Sequence, residues 1–202
     1  MTHSDDRHVP RTEEQIRALT IGELRPLSGR IQIVKYDPQW PRLFEREAHR
    51  MHSVAHRMHS VLGSQALRIE HTGSTSVSGL AAKPIIDMLL VVADSADEDA
   101  YVRTLEDVGY VLRIREPDWH EHRMFKGPDT EINLHVLSSG CPEIDRIPLF
   151  WDHLRGHAAD RELYAFTKRS LAEKEWKYVQ NYADAKALFI EEILARAIIG
   201  RA

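Results

Sequence analysis

One cysteine, Cys141, stands in a chain of 202 residues, so an internal disulfide and a zinc site built from several thiolates are both excluded. No run of about 18 apolar residues occurs, the length a helix needs to cross a bilayer. The opening MTHSDDRHVPRTEEQ has no apolar stretch behind a basic start, the arrangement that a secretory leader requires. These absences predict a cytoplasmic protein with no membrane partner. Charge of one sign is scarce as well. The 27 Lys and Arg against 31 Asp and Glu leave a formal net charge of −4, whereas a nucleic-acid coat calls for basic excess and strands of interleaved aromatic and basic residues. A nucleic-acid partner is therefore not expected, and a single nucleotide is not excluded.

What is present is an ordinary composition, 43% hydrophobic over 23.3 kDa, enough for one well-buried core. Residues 1–30 read as a polar extension with a short helix, opened by a capping box of Thr12 and Gln15 and running through Leu19. Residues 31–202 read as one domain: a mixed sheet over 31–140, then a helical segment over 141–202. Ile31–Tyr36 has the alternation of a strand. Asp37 and Pro38 then start a long amphipathic helix that the apolar spacing from Trp40 to Leu62 carries to Gly63. Leu67–His71 reads as a strand ending in a loop of small residues. Ile85–Val92 is a nearly continuous apolar run of the kind covered on both faces. Ser95 and Glu98 suggest a capping box for a second helix, closed by Gly109. Tyr110–Arg115, His122–Lys126 and Glu131–Leu137 read as strands, the last two a hairpin across Gly127-Pro128-Asp129-Thr130. Strands followed by a helical group make the class α+β.

The chemistry-bearing stretch is Glu70 to Asp87, a strand, a small-residue loop and a buried strand with one carboxylate. Gly73 lets a backbone amide approach a phosphate oxygen, and Ser74 and Thr75 add hydroxyl donors. Lys83 brings positive charge to the entrance of the next strand, and Asp87 offers oxygen to a divalent cation. The same residues, read individually, also suit a glycine turn, a solvated lysine and a capped aspartate.

His71-Thr72-Gly73-Ser74-Thr75, Gly79-Leu80 and Lys83-Pro84-Ile85-Ile86-Asp87 resemble the GrpB family. The likeness extends from Val34-Lys35-Tyr36-Asp37-Pro38-Gln39-Trp40-Pro41 through Asn133-Leu134-His135-Val136 to Tyr182 and Lys186. That family is placed in the nucleotidyltransferase-like superfamily. Its members carry a Gly-Ser pair, then a strand with two carboxylates two residues apart, then a third carboxylate on a later strand. The resemblance implies a mixed sheet flanked by helices and metal-dependent transfer of a nucleoside monophosphate from a nucleoside triphosphate to a small-molecule acceptor hydroxyl, with Mg²⁺ or Mn²⁺ as cofactor. It also implies an alternative, a catalytically silent binding domain, because family members occur fused to dephospho-coenzyme A kinase.

The departure from that pattern is Leu89. Strand alternation puts Ile85, Asp87, Leu89 and Val91 on one face, so an aliphatic side chain stands where the second carboxylate belongs. Glu131, Asn133 and His135 share a face of the later strand. Glu131 and His135 are thereby candidates beside Asp87 for catalysis, with Asp87 and His135 as metal ligands; a solvated edge strand is the competing reading. Arg123 resembles the family's arginine before Phe125 and is a candidate phosphate grip with Gly73, Ser74, Thr75 and Lys83. By analogy with related transferases, Lys168 and Lys186 on the C-terminal helices are further phosphate contacts. His49, His52, His56 and His59 form a stripe on the long helix, and His120 and His122 a pair on one strand face, both expected to face solvent.

Overall fold

Alternation along Ile86–Val92 commits the two faces of the sheet to different neighbours, and the rest of the architecture follows from that division. The computed structural model describes residues 10–62 and 68–200, with side chains for 10–51 and 68–200. The polar start at 1–9, the helix end at Gly63, the strand start at Leu67 and the side chains of His52, His56 and His59 lie outside the described residues. The elements are α1 (Glu13–Leu19), α2 (Trp40–Leu62), β1 (Arg68–Thr72), β2 (Ile86–Val92), α3 (Val102–Glu106), β3 (Val111–Glu116), β4 (His122–Lys126), β5 (Ile132–Ser138), α4 (Glu143–Gly156), α5 (Ala158–Ala172), α6 (Val179–Asp184) and α7 (Ala187–Ile199). The five strands form one sheet in the order β1-β2-β5-β4-β3. β2 and β5 run parallel and every other pair is antiparallel, the mixed α+β arrangement that the pattern of segments predicts. β5 is the middle strand and not an edge.

On one face Ile86, Met88, Leu90 and Val92 join Phe125, Leu134 and Val136 beneath Trp40 and Met51 of α2 and Leu105 of α3. On the other face the cover is incomplete. Leu89, Val91 and Leu137 pack with Cys141 and with Ile144 and Ile147 of α4. A separate cluster, Phe150, Leu154, Tyr164, Ile193 and Leu194, ties α4, α5 and α7 to Val77 and Leu80 after β1. Between these clusters and β3, part of the second face carries no helix against it.

Two local expectations are corrected. Ile31–Tyr36 is not a strand. Val34 makes a lone bridge to Ala82, while Ile31 and Ile33 join Ala172, Tyr182 and Trp176, so the apolar residues serve a helix cluster and not a sheet edge. The Ser95–Glu98 capping box does not form either. The Ser95 hydroxyl lies 2.8 Å from that of Ser138, and Glu98 is drawn to Arg115 and Arg123. Charge-assisted bonds to two guanidinium groups outcompete a single backbone amide, and the α-helix begins only at Val102.

Leu89 shares the Asp87 face, as alternation requires, yet it is 0% exposed. Removing its side chain leaves a cavity among Val91, Leu137, Cys141 and Ile147. Leu89→Ala is expected to cost about 2–5 kcal/mol, read from the urea midpoint. Leu89→Asp, which buries an unpaired charge there, is expected to be less stable still.

Candidate functional site

β1 ends at Thr72, which pairs with Asp87 across the sheet, and the chain then turns at Gly73 with φ of 72°. A Cβ on Gly73 would stand 2.2 Å from Asp87 Oδ2 and 2.7 Å from Asp87 Cβ. Only glycine both adopts this backbone and lets the turn lie against the carboxylate. The following 3-10 turn, Ser74–Ser76, is pinned by the Ser76 hydroxyl donating to the Gly73 carbonyl at 2.8 Å. Ser74 lines the cleft and bonds the Tyr164 phenol. Thr75, expected to meet phosphate, is buried beneath the turn. Its hydroxyl donates to the Ile85 carbonyl at 3.2 Å and sits 3.1 Å from His71 Nε2, so its bonding is internal. His71 stacks on Phe44 and burial lowers its pKa to about 4, which keeps it neutral.

Asp87 is held from three sides. Asn133 Nδ2 donates to Oδ1 at 2.7 Å, His135 Nε2 lies 3.8 Å from the same oxygen, and Oδ2 rests against Gly73. Burial pushes the carboxyl pKa up, but His135, Asn133 and Lys83 outweigh it and hold it below the ordinary value. Behind His135 runs a chain that the sequence did not signal. His135 Nδ1 is 3.0 Å from His122 Nε2, and His122 Nδ1 is 2.6 Å from Glu116 Oε2. Arg11 reaches Glu116 Oε1 at 2.8 Å. Burial raises the Glu116 pKa, and the bond to His122 with the nearby positive charges brings it below normal. An ionised Glu116 can only accept, so the proton on His122 belongs at Nδ1. His122 Nε2 is then left to accept from His135 Nδ1, and His135 Nε2 faces Asp87 and the cleft. His122, expected to face solvent, is 4% exposed. Its partner His120 in the sequence pair is exposed, in the turn before β4.

Three lysines converge on this carboxylate from separate parts of the chain. The Lys83 ammonium stands 5.8 Å from the Tyr182 ring centroid and that of Lys186 4.5 Å. Lys168, 2% exposed, donates to the Ala81 carbonyl at 2.5 Å. Burial lowers the pKa of all three, and repulsion adds to it: Lys168 falls to about 6 with Lys186 nearby, and Lys186 to about 8 with Lys83 nearby, Asp87 opposing in each case. All of them line a cavity of about 780 Å³ over the uncovered part of the sheet. Three buried polar atoms on its walls, Thr72 Oγ1, Asn133 Oδ1 and the Tyr182 hydroxyl, have no hydrogen-bond partner among the described residues.

Gly73, Ser74, Lys83, Asp87 and His135 are thus brought together, with Glu131 at the edge of the same cleft, and Thr75 and Arg123 are not. Arg123 pairs across with Val136, on the face opposite Asp87, where it binds Glu98 and the Glu121 carbonyl; its strand position keeps it out of the cleft. Glu131 precedes β5 and lines the rim of the cleft, where its side chain is 73% exposed beside Lys126 at 3.8 Å and acts on Lys83 and not on Asp87. The divalent cation implied by the family resemblance also lacks ligands. Asp87 and His135 are two donors, Asp87 Oδ1 is already engaged by Asn133, and the charges that act on Asp87 are those of His135 and the Lys83 ammonium. Among the described residues no group of three or more His, Cys, Asp or Glu converges as a metal site. The residues present do not fit a cation held by the protein alone.

The family model described as GrpB protein matches residues 30–196. A UPF0157 protein of Halalkalibacterium halodurans is 59% identical over 189 residues, covering 94% of this chain and 93% of that protein. The crystal structure of the conserved protein GrpB from Enterococcus faecalis superposes with a TM-score of 0.69 at 29% identity, over 84% of this chain and 99% of that one. A dephospho-CoA kinase of Mycolicibacterium paratuberculosis is 26% identical over 83% of this chain but only 46% of its own length. Because the match runs from before α2 to within α7 and so takes in the Gly73 turn, the Asp87 strand and the lysine-bearing helices together, the chain belongs to the GrpB family.

Proposed function

We propose that the cleft binds a phosphate-bearing small molecule, a nucleoside triphosphate, and transfers its nucleoside monophosphate to an acceptor hydroxyl. The observation that carries this reading is the convergence of Lys83, Lys168 and Lys186 on a single carboxylate in one partly buried cleft. Buried like charges repel one another, and an arrangement that disfavours itself when empty is relieved by a polyanion. The unpartnered hydroxyls of Thr72 and Tyr182 add donors at the same wall. Gly73 and Ser74 shape the floor, and the lysines offset phosphate charge where a metal pair does so in other transferases. His135 is the group placed to take a proton. As the acceptor oxygen attacks the α-phosphorus, the bond to the bridging oxygen breaks and pyrophosphate leaves. The hydroxyl proton passes to His135 Nε2, and Asp87 stabilises the imidazolium so formed.

A second reading, a binding domain without turnover, is favoured by Leu89: the position of the superfamily's second carboxylate is packed core. The dephospho-CoA kinase relative suits that reading, since there a segment like this one accompanies a separately named activity. Pyrophosphate release separates the two. Binding of nucleoside triphosphate with no pyrophosphate released over many hours, in the presence of varied hydroxyl acceptors, leaves the binding domain standing.

Thermal unfolding tests the binding itself. Tripolyphosphate or a nucleoside triphosphate, in chelator-treated buffer, is expected to raise the melting temperature by the shift that ligand at about 100 times Kd gives, on the order of 3 kcal/mol of added stability. Lys168→Met and Lys186→Met should each lose most of that shift, and unmoved transitions in the native protein with all four common triphosphates would sink the reading. Gly73→Ala should lose it too, because the new Cβ displaces the Asp87 carboxylate.

The pH dependence has a definite sign. Bound polyanion selects protonated lysines, so its affinity should rise as pH falls from 9 to 6, through the Lys186 value near 8 and the Lys168 value near 6. The ligand-free protein should show the opposite trend. The unfolded chain holds the Lys168 proton up to the ordinary lysine value and the folded chain releases it near 6, so stability from this group rises with pH across that window. Comparing unfolding free energy with Lys168→Met at several pH values isolates it, and parallel curves would show that Lys168 carries no such shift.

A further inference from the structure

The cleft extends well beyond the lysines, and its far end is built by residues that the family match leaves out. From the GrpB match, which begins at residue 30, the stretch 10–29 is excluded, yet Arg11, Ile16, Thr20 and Leu24 line the same cavity as Asp87 and Lys83. This stretch is fastened down. Thr20 bridges to Ile114, the Ile21 amide donates to the Arg113 carbonyl at 2.8 Å, and Arg113 donates to the Glu23 carbonyl at 2.9 Å. At its start the Arg11 amide donates to Asp184 at 3.0 Å, and Asn181 donates to the Arg11 carbonyl at 3.1 Å.

The two ends of the cavity differ in chemistry. Around Asp87 the walls are ammonium and phenol. Across β5, the floor is Met124 and Ile114, the wall is Ile16 and Leu24, and Trp119 stands beside His122. The guanidinium groups at this end are already occupied, Arg11 by Glu116, Arg113 by the Glu23 carbonyl and Arg25 by the Glu23 carboxylate, so it offers an anion little. β3 lies three strand spacings from β2, about 14 Å, too far for one phosphate group to reach from the lysines. His135 stands between the two ends, its strand paired to β2 on one side and β4 on the other.

We infer that residues 10–29 build a second subsite, an apolar lobe over Met124 and Ile114 that takes the planar ring of the ligand whose phosphates meet the lysines. The inference rests on the nucleotide reading above and deepens it. A nucleoside triphosphate so laid, base against Leu24 and Ile16 and terminal phosphates at Lys168 and Lys186, sets its α-phosphate against Asp87 and His135, where the transfer step requires it. The N-terminal segment is then the part of the cleft that selects the ligand.

Leu24 is half-buried and belongs to no packed cluster, which makes it the position to change. Calorimetric titration of tripolyphosphate and of ATP, GTP, CTP and UTP into the full chain, Leu24→Trp and Leu24→Ala compares the two ends directly. In the native protein the preferred nucleotide should bind about tenfold or more tighter than tripolyphosphate. Leu24→Trp, which fills the lobe, and Leu24→Ala, which removes its wall without crowding, should both erase most of that advantage and leave tripolyphosphate affinity within about twofold. Tripolyphosphate binding as tightly as every nucleotide, or nucleotide affinity unchanged in both variants, overturns the lobe while the lysine site stands. Failure of all five ligands to bind the native protein overturns both readings.

Discussion

A carboxylate pressed against a glycine turn is the constraint on which the cleft depends. Asp87 on β2 occupies the volume that any side chain at residue 73 would need, and Asn133 from the neighbouring parallel strand fixes the carboxylate's other oxygen. Moving either the turn or the strand would break the Asn133 bond or part the carboxylate from the turn. The lysines depend on it in turn, because three ammonium groups brought together without that carboxylate would each lose their proton more readily. Glycine, aspartate and lysines are one electrostatic unit assembled from β1, β2 and three helical or loop segments. Its parts cannot be exchanged singly.

The uneven cover of the sheet makes room for this unit. One face is sealed by α2 and α3 over a continuous aliphatic layer, so its residues, Arg123 among them, are committed to structure. The other face is sealed only at its ends, where Leu89 meets α4 and where the C-terminal helices close on Val77 and Leu80. Polar side chains at alternate positions of β2, β5 and β4 therefore open into one shared cleft. Low dielectric strengthens the Glu116–His122–His135 chain and raises the cost of leaving any member unpaired, which ties the outer end of the chain, at Arg11, to the state of the inner end at Asp87.

Periodicity made each strand legible: alternation along Ile85–Val92 put Asp87 and Leu89 on one face, alternation along Glu131–Leu137 put Asn133 and His135 on one face, and the parallel register, which alternation does not give, makes those two faces one. Short-range signals were less secure wherever a charged residue had a distant partner. Glu98 looked like a helix cap because its local spacing fits one, but Arg115 and Arg123, 17 and 25 positions away, compete for it. Arg123 looked like a phosphate grip because its motif neighbours suit one, whereas the register of β4 decides which face it serves. The relay through His122 and Glu116 could not be read at all. It joins two strands through a turn in which His120 and Glu121 both take positive φ, a conformation that side chains other than glycine, asparagine or aspartate seldom signal. The burial of Leu89 was likewise hidden, since alternation gives its face but not that α4 lies on it.

The fastening of Arg11 to α6 joins residues 173 and 170 positions apart, with Glu13 paired to Lys177 nearby. Contacts of such sequence separation come late in folding, because the chain between them must first be closed at an entropic cost. As the chain leaves the ribosome, the sheet from β1 to β5 and its covered face have all their strands before α6 exists, and at that stage Arg11 has Glu116 on β3 to meet but neither Asp184 nor Asn181. The wall that Tyr182 and Lys186 supply is thus the last part of the cleft to form, and a chain halted before α6 would carry the Asp87 turn, Lys83, Lys168 and the Arg11–Glu116 pair without it.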